Sequence, residues 1–269
     1  MLEINKIHCG DSLDLLKQVD DNSIQLHFCS PPYSDTKRYD NFDGIHPDKY
    51  VEWIMPFIKE IERTMSLNGN FILNINDKVV DRMRHPYVFD LVSEIHKQTN
   101  LKMFERLWWN KGKYLPNKSR FGDKIEYLFW FVKSKDFYFN IDAMRVEYDK
   151  KSIARMKRPI KKRFNRNKDN QDAKLYKEWS ENPLGALPSS LISIGSESQR
   201  QSDNHCAIFP LKLPLYFIKG ACPENGLICD IFNGVGTTCL AAKQLNRNYI
   251  GLEQSESYCN EAIERLNKC

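Results

Sequence analysis

Leu26-His27-Phe28-Cys29-Ser30-Pro31-Pro32-Tyr33 opens as a short apolar run and stops at two prolines. The run has the pattern of a buried strand. Proline has no N–H, fixes its own φ and pushes the residue before it out of helical geometry. Ser30, Pro31 and Pro32 are therefore expected to lie extended at the carboxyl end of a strand, where ligands bind in open α/β sheets. There the Ser30 hydroxyl and the Pro31 carbonyl can accept from an N–H donor, and Tyr33 offers a flat ring on which a base can stack. A bare Pro-Pro-Tyr is more often an ordinary strand exit. A second motif, near the other end of the chain, reverses those odds.

That motif is Gly226-Leu227-Ile228-Cys229-Asp230-Ile231-Phe232, a buried strand, followed by Asn233-Gly234-Val235-Gly236-Thr237-Thr238 and an apolar helix from Cys239 to Leu245. Glycines let backbone approach a ligand closely, and a helix start presents N–H groups. The spacing is G-x-G without the third glycine of the dinucleotide fingerprint, which argues against NAD. The next strand, Asn248 to Leu252, ends in Glu253, a carboxylate placed to take both ribose hydroxyls of a nucleoside cofactor.

Before and between the motifs the chain alternates. Ile4 to His8 reads as a strand, and Gly10-Asp11-Ser12 turns into a helix where Asp11 would ordinarily be a cap. Residues 34–48 form a polar, aromatic loop carrying Lys37 and Arg38, beside the Pro-Pro turn. Tyr50 to Met65 and Val88 to Gln98 have helical periodicity; Phe71 to Ile75, Phe104 to Asn110 and Tyr127 to Lys133 read as strands. The order predicts a mixed, mostly parallel sheet with helices on both faces.

Periodicity then breaks. Lys150 to Lys168 holds Arg155, Lys157, Arg158, Lys161, Lys162, Arg163 and Arg166 with no acid, a density better suited to phosphate neutralisation than to a solvated face. Residues 140–204 are read as an inserted DNA-contacting segment, between a catalytic part at 1–139 and a cofactor-binding part at 205–269. The net charge of +5 says less than this distribution. The 8 cysteines show no C-x-x-C spacing, which disfavours zinc or a disulfide framework and fits a reducing cytoplasm. No segment is long and apolar enough to span a bilayer.

With both motifs in view, the chain resembles the bacterial DNA amino-methyltransferases of restriction–modification systems, in the arrangement where the catalytic motif comes first. Ser30-Pro31-Pro32-Tyr33 is similar to their catalytic motif, Asp230 to Thr238 to their cofactor motif, and His205 to Ile218 to the helix before it. Gly10-Asp11-Ser12 resembles their adenine-side contact, which lifts Asp11 above a plain cap. The resemblance implies a Rossmann-like fold, S-adenosyl-L-methionine as cofactor, and duplex DNA as partner. The cofactor would be held by Asp11, Asp230, Phe232, Asn233, Gly234, Gly236, Thr237, Thr238 and Glu253. No metal is expected from the cysteine spacing, and the resemblance leaves open a homodimer and a companion restriction endonuclease.

Serine in the first position is more typical of relatives acting on cytosine N4, aspartate of those acting on adenine N6. Adenine N6 remains the alternative, with RNA methylation or a non-catalytic DNA-binding role further off. Cys29 invites a carbon-5 mechanism, but that chemistry needs an accessible, activated thiolate, and Cys29 reads as the last residue of a buried strand. Asn74 stands where some serine-type relatives carry an aspartate near the catalytic serine, so the route of the departing proton stays open.

Overall fold

The computed structural model describes residues 2–34, 44–112, 118–156, 181–195 and 208–269. Two compact units form: Met1–Asn140 with Ser189–Cys269, and Ile141–Pro188.

The first unit is built on strands β1 (Lys6–Cys9), β2 (Ile24–Cys29), β3 (Met65–Ile75), β4 (Val79–Val80), β5 (Met83–Arg84), β6 (Lys102–Asn110), β7 (Ile125–Val132), β8 (Leu191–Ser193), β9 (Leu227–Asp230) and β10 (Asn248–Glu253). Its helices are α1 (Ser12–Leu16), α2 (Pro47–Thr64), α3 (Tyr87–Gln98), α5 (Lys212–Ala221), α6 (Thr237–Gln244) and α7 (Glu256–Asn267); α4 (Lys150–Met156) belongs to the second unit. β4 and β5 form a small hairpin, and the other eight strands form one sheet in the order β1-β10-β9-β2-β3-β7-β6-β8. Neighbours pair in parallel except at β7, which runs against both β3 and β6. This is the mixed, mostly parallel sheet expected of a Rossmann-like methyltransferase.

Alternation along the strands divides the core between the two faces of the sheet. Phe71, Leu73 and Ile75 of β3 join a core with Ile54, Ile58 and Ile61 of α2 and Leu91 and Ile95 of α3. Phe28 of β2 and Trp130 of β7 instead meet Phe217 of α5, with ring centroids 5.9 and 6.0 Å apart. At roughly 25 cal/mol per Å² of apolar surface buried, side chains of this size are the main favourable term holding the strands in register.

One pairing decides where the site lies. β2 and β9 sit side by side in parallel, Leu26 opposite Ile228 and His27 opposite Cys229. β2 continues on one side to β3, and β9 on the other to β10, so the strand order reverses between them. That reversal opens a crevice at the strands' carboxyl ends. Ser30 and Ile231, the first residues beyond the two strands, therefore start neighbouring turns.

The second unit is small. Val146 bridges Ala186, Arg145 Nη1 donates to the Gly185 carbonyl at 2.8 Å, and Asp149 caps α4 by accepting from the Lys151 and Ser152 amides. The sequence reading ran the inserted segment to residue 204. Leu191–Ser193 instead pairs with Trp108–Asn110 of β6 as an edge strand of the main sheet. Its short Leu-Ile-Ser core lies between polar runs, so periodicity had nothing to register.

Candidate active site

The turn after β2 is anchored from outside itself. Tyr50 of α2 donates to the Pro32 carbonyl at 2.9 Å, and the Ser34 hydroxyl donates to the Ile45 carbonyl at 2.6 Å. Ser30 Oγ lies 3.2 Å from the Tyr33 hydroxyl, which donates to Glu126 Oε2 at 2.7 Å and reaches Asn74 Oδ1 at 3.2 Å. Asn74 Nδ2 is 3.2 Å from Glu126 Oε2 and 3.2 Å from the Tyr127 carbonyl. Lys111 Nζ closes the cluster, 2.9 Å from Glu126 Oε1.

Strand register explains the convergence. Asn74 pairs opposite Leu128 across the β3–β7 ladder, and Glu126, two residues from Leu128, shares that face. The carboxylate near the serine thus comes from position 126 rather than position 74. Sequence reading missed Glu126, Lys111 and Tyr50. Glu126 looked like the polar flank of a strand starting at Tyr127, and its tyrosine partner lies 93 residues away.

The turn after β9 is self-contained. Asp230 is 1 % exposed; its Oδ2 accepts from the Thr238 hydroxyl at 2.6 Å and its Oδ1 from the Phe232 amide at 3.1 Å. Burial, opposed by those two bonds, pushes its carboxyl up to about 7. Asp230 therefore holds the loop in shape from inside. Asn233 Oδ1 accepts from the Cys239 thiol at 3.1 Å. Gly234 and Gly236 take φ of +50° and +78°, and a Cβ on Gly236 would stand 2.9 Å from the Ala262 Cβ. Only glycine fits that start of α6 without strain.

Glu253, at the tip of β10 and 9 % exposed, accepts from the Gly234 amide at 2.7 Å and the Ser255 amide at 2.9 Å. The two amides, one on each oxygen, orient the carboxylate at the strand tip. Its own carbonyl accepts from the Gly10 amide at 2.9 Å, which sets Asp11 beside it; Asp11 Oδ1 caps α1 through the Leu13 and Asp14 amides. Phe232 packs on α2, 5.2 Å from the Phe57 ring and 5.9 Å from Trp53, so α2 borders both turns. Thr237 and Thr238 are buried in the first turn of α6.

Cys29 is 1 % exposed, and burial, with Asp230 and Cys229 nearby, pushes its thiol well above the ordinary range. A thiolate nucleophile is not available there. Among the basic residues read as DNA-contacting, Arg155 is exposed on α4. Lys37, Arg38, Lys157, Arg158, Lys161, Lys162, Arg163 and Arg166 lie outside the described residues.

The site thus joins a proline-locked turn with a hydroxyl and an aromatic ring to a glycine turn with a terminal carboxylate, at the switch point of a Rossmann-like sheet. Comparison with known proteins agrees. A family model described as DNA methylase, covering the N6 and N4 enzymes, matches residues 24–264. The type II methyltransferase M1.MboII of Moraxella bovis is 30 % identical, the alignment covering 100 % of this chain and 98 % of that protein. M.PvuII of Proteus hauseri is 26 % identical over 94 % of this chain and 80 % of its own length. Among solved structures, the PvuII DNA methyltransferase, titled cytosine-N4-specific, superposes with a TM-score of 0.73 at 22 % identity, over 96 % of this chain and 85 % of that one. M1.HpyAVI, solved in complex with SAM, gives 0.60 at 20 % identity, over 97 % and 98 %. The chain belongs to the N6/N4 family of DNA methylases.

Proposed function

We propose that this protein transfers a methyl group from S-adenosyl-L-methionine to the N4 amino group of cytosine in duplex DNA, as the modification enzyme of a restriction–modification system. The observation that carries the reading is the adjacency of the two turns: Ser30 to Tyr33 leaves β2 beside the glycine turn that leaves β9. The solved relative titled cytosine-N4-specific and the serine at position 30 favour cytosine N4 over adenine N6.

The residues present fit the cofactor. Glu253 is fixed by two backbone amides at a strand tip, where its carboxylate suits two ribose hydroxyls, and Asp11 stands beside it for the adenine side. Gly234 and Gly236 give the turn its left-handed backbone ahead of α6, and Phe232 supplies an apolar wall with α2. When bound, S-adenosyl-L-methionine supplies an activated methyl group.

The chain's own residues then have to orient a poor nucleophile, since the lone pair of a base amino group is delocalised into the ring. A base flipped out of the duplex stacks on Tyr33. The Ser30 hydroxyl and the Pro31 carbonyl accept its two amino protons; the Pro32 carbonyl is already taken by Tyr50. Those bonds draw the nitrogen toward tetrahedral geometry and strengthen as it gains positive charge, favouring the transition state over the ground state. Arg155 and the basic residues between Lys157 and Arg166, with Lys37 and Arg38, neutralise DNA phosphates.

The test is direct. Purified protein is incubated with unmethylated duplex DNA and S-adenosyl-L-methionine, and the nucleosides are identified by mass spectrometry. N4-methylcytosine is expected. N6-methyladenine would keep the chemistry and replace the base, whereas no methylated nucleoside despite cofactor binding would favour RNA or a binding role.

A further inference from the structure

Glu126 lies in neither motif, yet it is the ion at the centre of the catalytic turn's hydrogen bonds. We propose that Glu126, paired with Lys111, sets the direction of the hydrogen-bond chain Ser30–Tyr33–Glu126, so that Ser30 meets the target with lone pairs rather than with its proton. Glu126 is then a positioning residue that makes the site select an amino group over a carbonyl. The inference rests on the reading that Ser30 receives the target's amino group, and it is indifferent to which base carries that group.

An ionised carboxylate only accepts, and a tyrosine hydroxyl has a single proton to give. The Tyr33 hydroxyl lies closer to Glu126 Oε2, at 2.7 Å, than to Ser30 or Asn74, within the range of a charge-assisted bond. The ammonium of Lys111 supplies the counter-charge on the other oxygen, at 2.9 Å. Asn74 is turned the same way: its amide nitrogen faces Glu126 and the Tyr127 carbonyl, which presents its oxygen to Tyr33. Asn74 and Glu126 thus both meet the Tyr33 hydroxyl with acceptor oxygens.

With the phenolic proton drawn to Glu126, the 3.2 Å contact between Ser30 Oγ and Tyr33 is a bond that Ser30 donates. The serine proton therefore points into the protein, and its lone pairs are left for an incoming N–H. A base presenting a carbonyl at the same place would set oxygen lone pairs against oxygen lone pairs. The polarity has a second use after transfer. Once the nitrogen has formed its bond to carbon and the sulfur has kept the electron pair, the surplus amino proton can pass to Ser30 as the serine proton passes to Tyr33 and the tyrosine proton to Glu126. The chain of bonds then runs downhill to an anion that can later release the proton to water.

The experiment is a double-mutant cycle in the full chain, reading single-turnover methyl transfer to duplex DNA at saturating S-adenosyl-L-methionine, with the cofactor Kd measured by calorimetry. Glu126→Gln keeps the shape and removes the charge. A hydrogen bond to a charged group contributes about 1.5–3 kcal/mol, so the rate is expected to fall on the order of 10- to 100-fold with cofactor Kd unchanged. Tyr33→Phe, which leaves Glu126 and Lys111 paired, should cause a comparable loss. Because Glu126 acts through the Tyr33 hydroxyl, the double variant should be no slower than Tyr33→Phe alone.

A Glu126→Gln rate within twofold of wild type, or losses that multiply in the double variant, overturns the proposal. Ser30→Ala at the wild-type rate overturns both the proposal and the reading beneath it. Methylation of adenine instead of cytosine, with the cycle behaving as described, replaces only the base and supports the Glu126 assignment.

Discussion

In the turn after β9 the bonds that hold the loop come from close by: Asp230 holds Thr238 and the Phe232 amide, and Glu253 of the adjoining strand holds the Gly234 amide. In the turn after β2 they come from elsewhere in the chain: Tyr33 is held by Asn74 of β3 and Glu126 of β7, and Pro32 by Tyr50 of α2. The first is a cradle whose shape is written within about one strand–turn–helix unit. The second is an instrument whose polarity is supplied by the sheet around it. A binding turn can be specified locally because it has only to fit. A turn that must present a lone pair in one direction needs charged groups on its far side, and those belong to other strands.

The contrast can be broken at either turn. The largest effect is expected for Glu253→Ala, which removes the acceptor for the Gly234 and Ser255 amides together with the carboxylate assigned to the ribose. Cofactor affinity should fall by about 100-fold or more by calorimetry, since each bond to a charged group contributes about 1.5–3 kcal/mol. Gly236→Ala comes next. It forces a left-handed backbone on a side chain and sets a Cβ 2.9 Å from that of Ala262, so stability should drop by roughly 2–3 kcal/mol in urea unfolding.

A smaller effect is read through pH. Asp230 holds its proton in the folded protein up to about 7, while the unfolded chain loses it near 3.8. The folded state therefore binds more protons between those values, and this residue lowers stability as pH rises through that window, by at most about 1.4 kcal/mol per unit. Asp230→Asn should lower overall stability by losing an acceptor, yet flatten the unfolding free energy between pH 5 and 7. The smallest effect is expected for Asn74→Ala. Glu126 still accepts from Tyr33 in that variant, so transfer should slow only about three- to tenfold, with cofactor Kd unchanged.

The same contrast explains what could be read in advance. Strand, glycine turn, helix and terminal acid are consecutive in sequence, and the structure reproduces that order from Leu227 to Glu253. The Pro-Pro turn was legible as a strand exit because proline geometry is a local rule. That Asp230 is buried with both oxygens engaged within the turn depends on the fold of the loop rather than its letters. Glu126 and Lys111 were not legible, since nothing within ten residues of either indicates that an antiparallel β7 brings them to Tyr33. β8 was missed for the same reason: three residues pair with a strand more than eighty positions earlier.

The strand order also governs when the enzyme can exist. β1 and β2 are the first strands made, yet they do not touch; β10 and β9, the last two made, lie between them. At about 4.8 Å per strand, the space between β1 and β2 is two strands wide, and both strands that fill it come from the last part of the chain. Such long-range closure is slow relative to local folding. A chain released earlier from the ribosome would hold Ser30 to Tyr33 at an unpaired strand edge, with no cradle beside it. Pairing of β9 and β10 with the rest of the sheet is therefore what brings the glycine turn beside Ser30 to Tyr33.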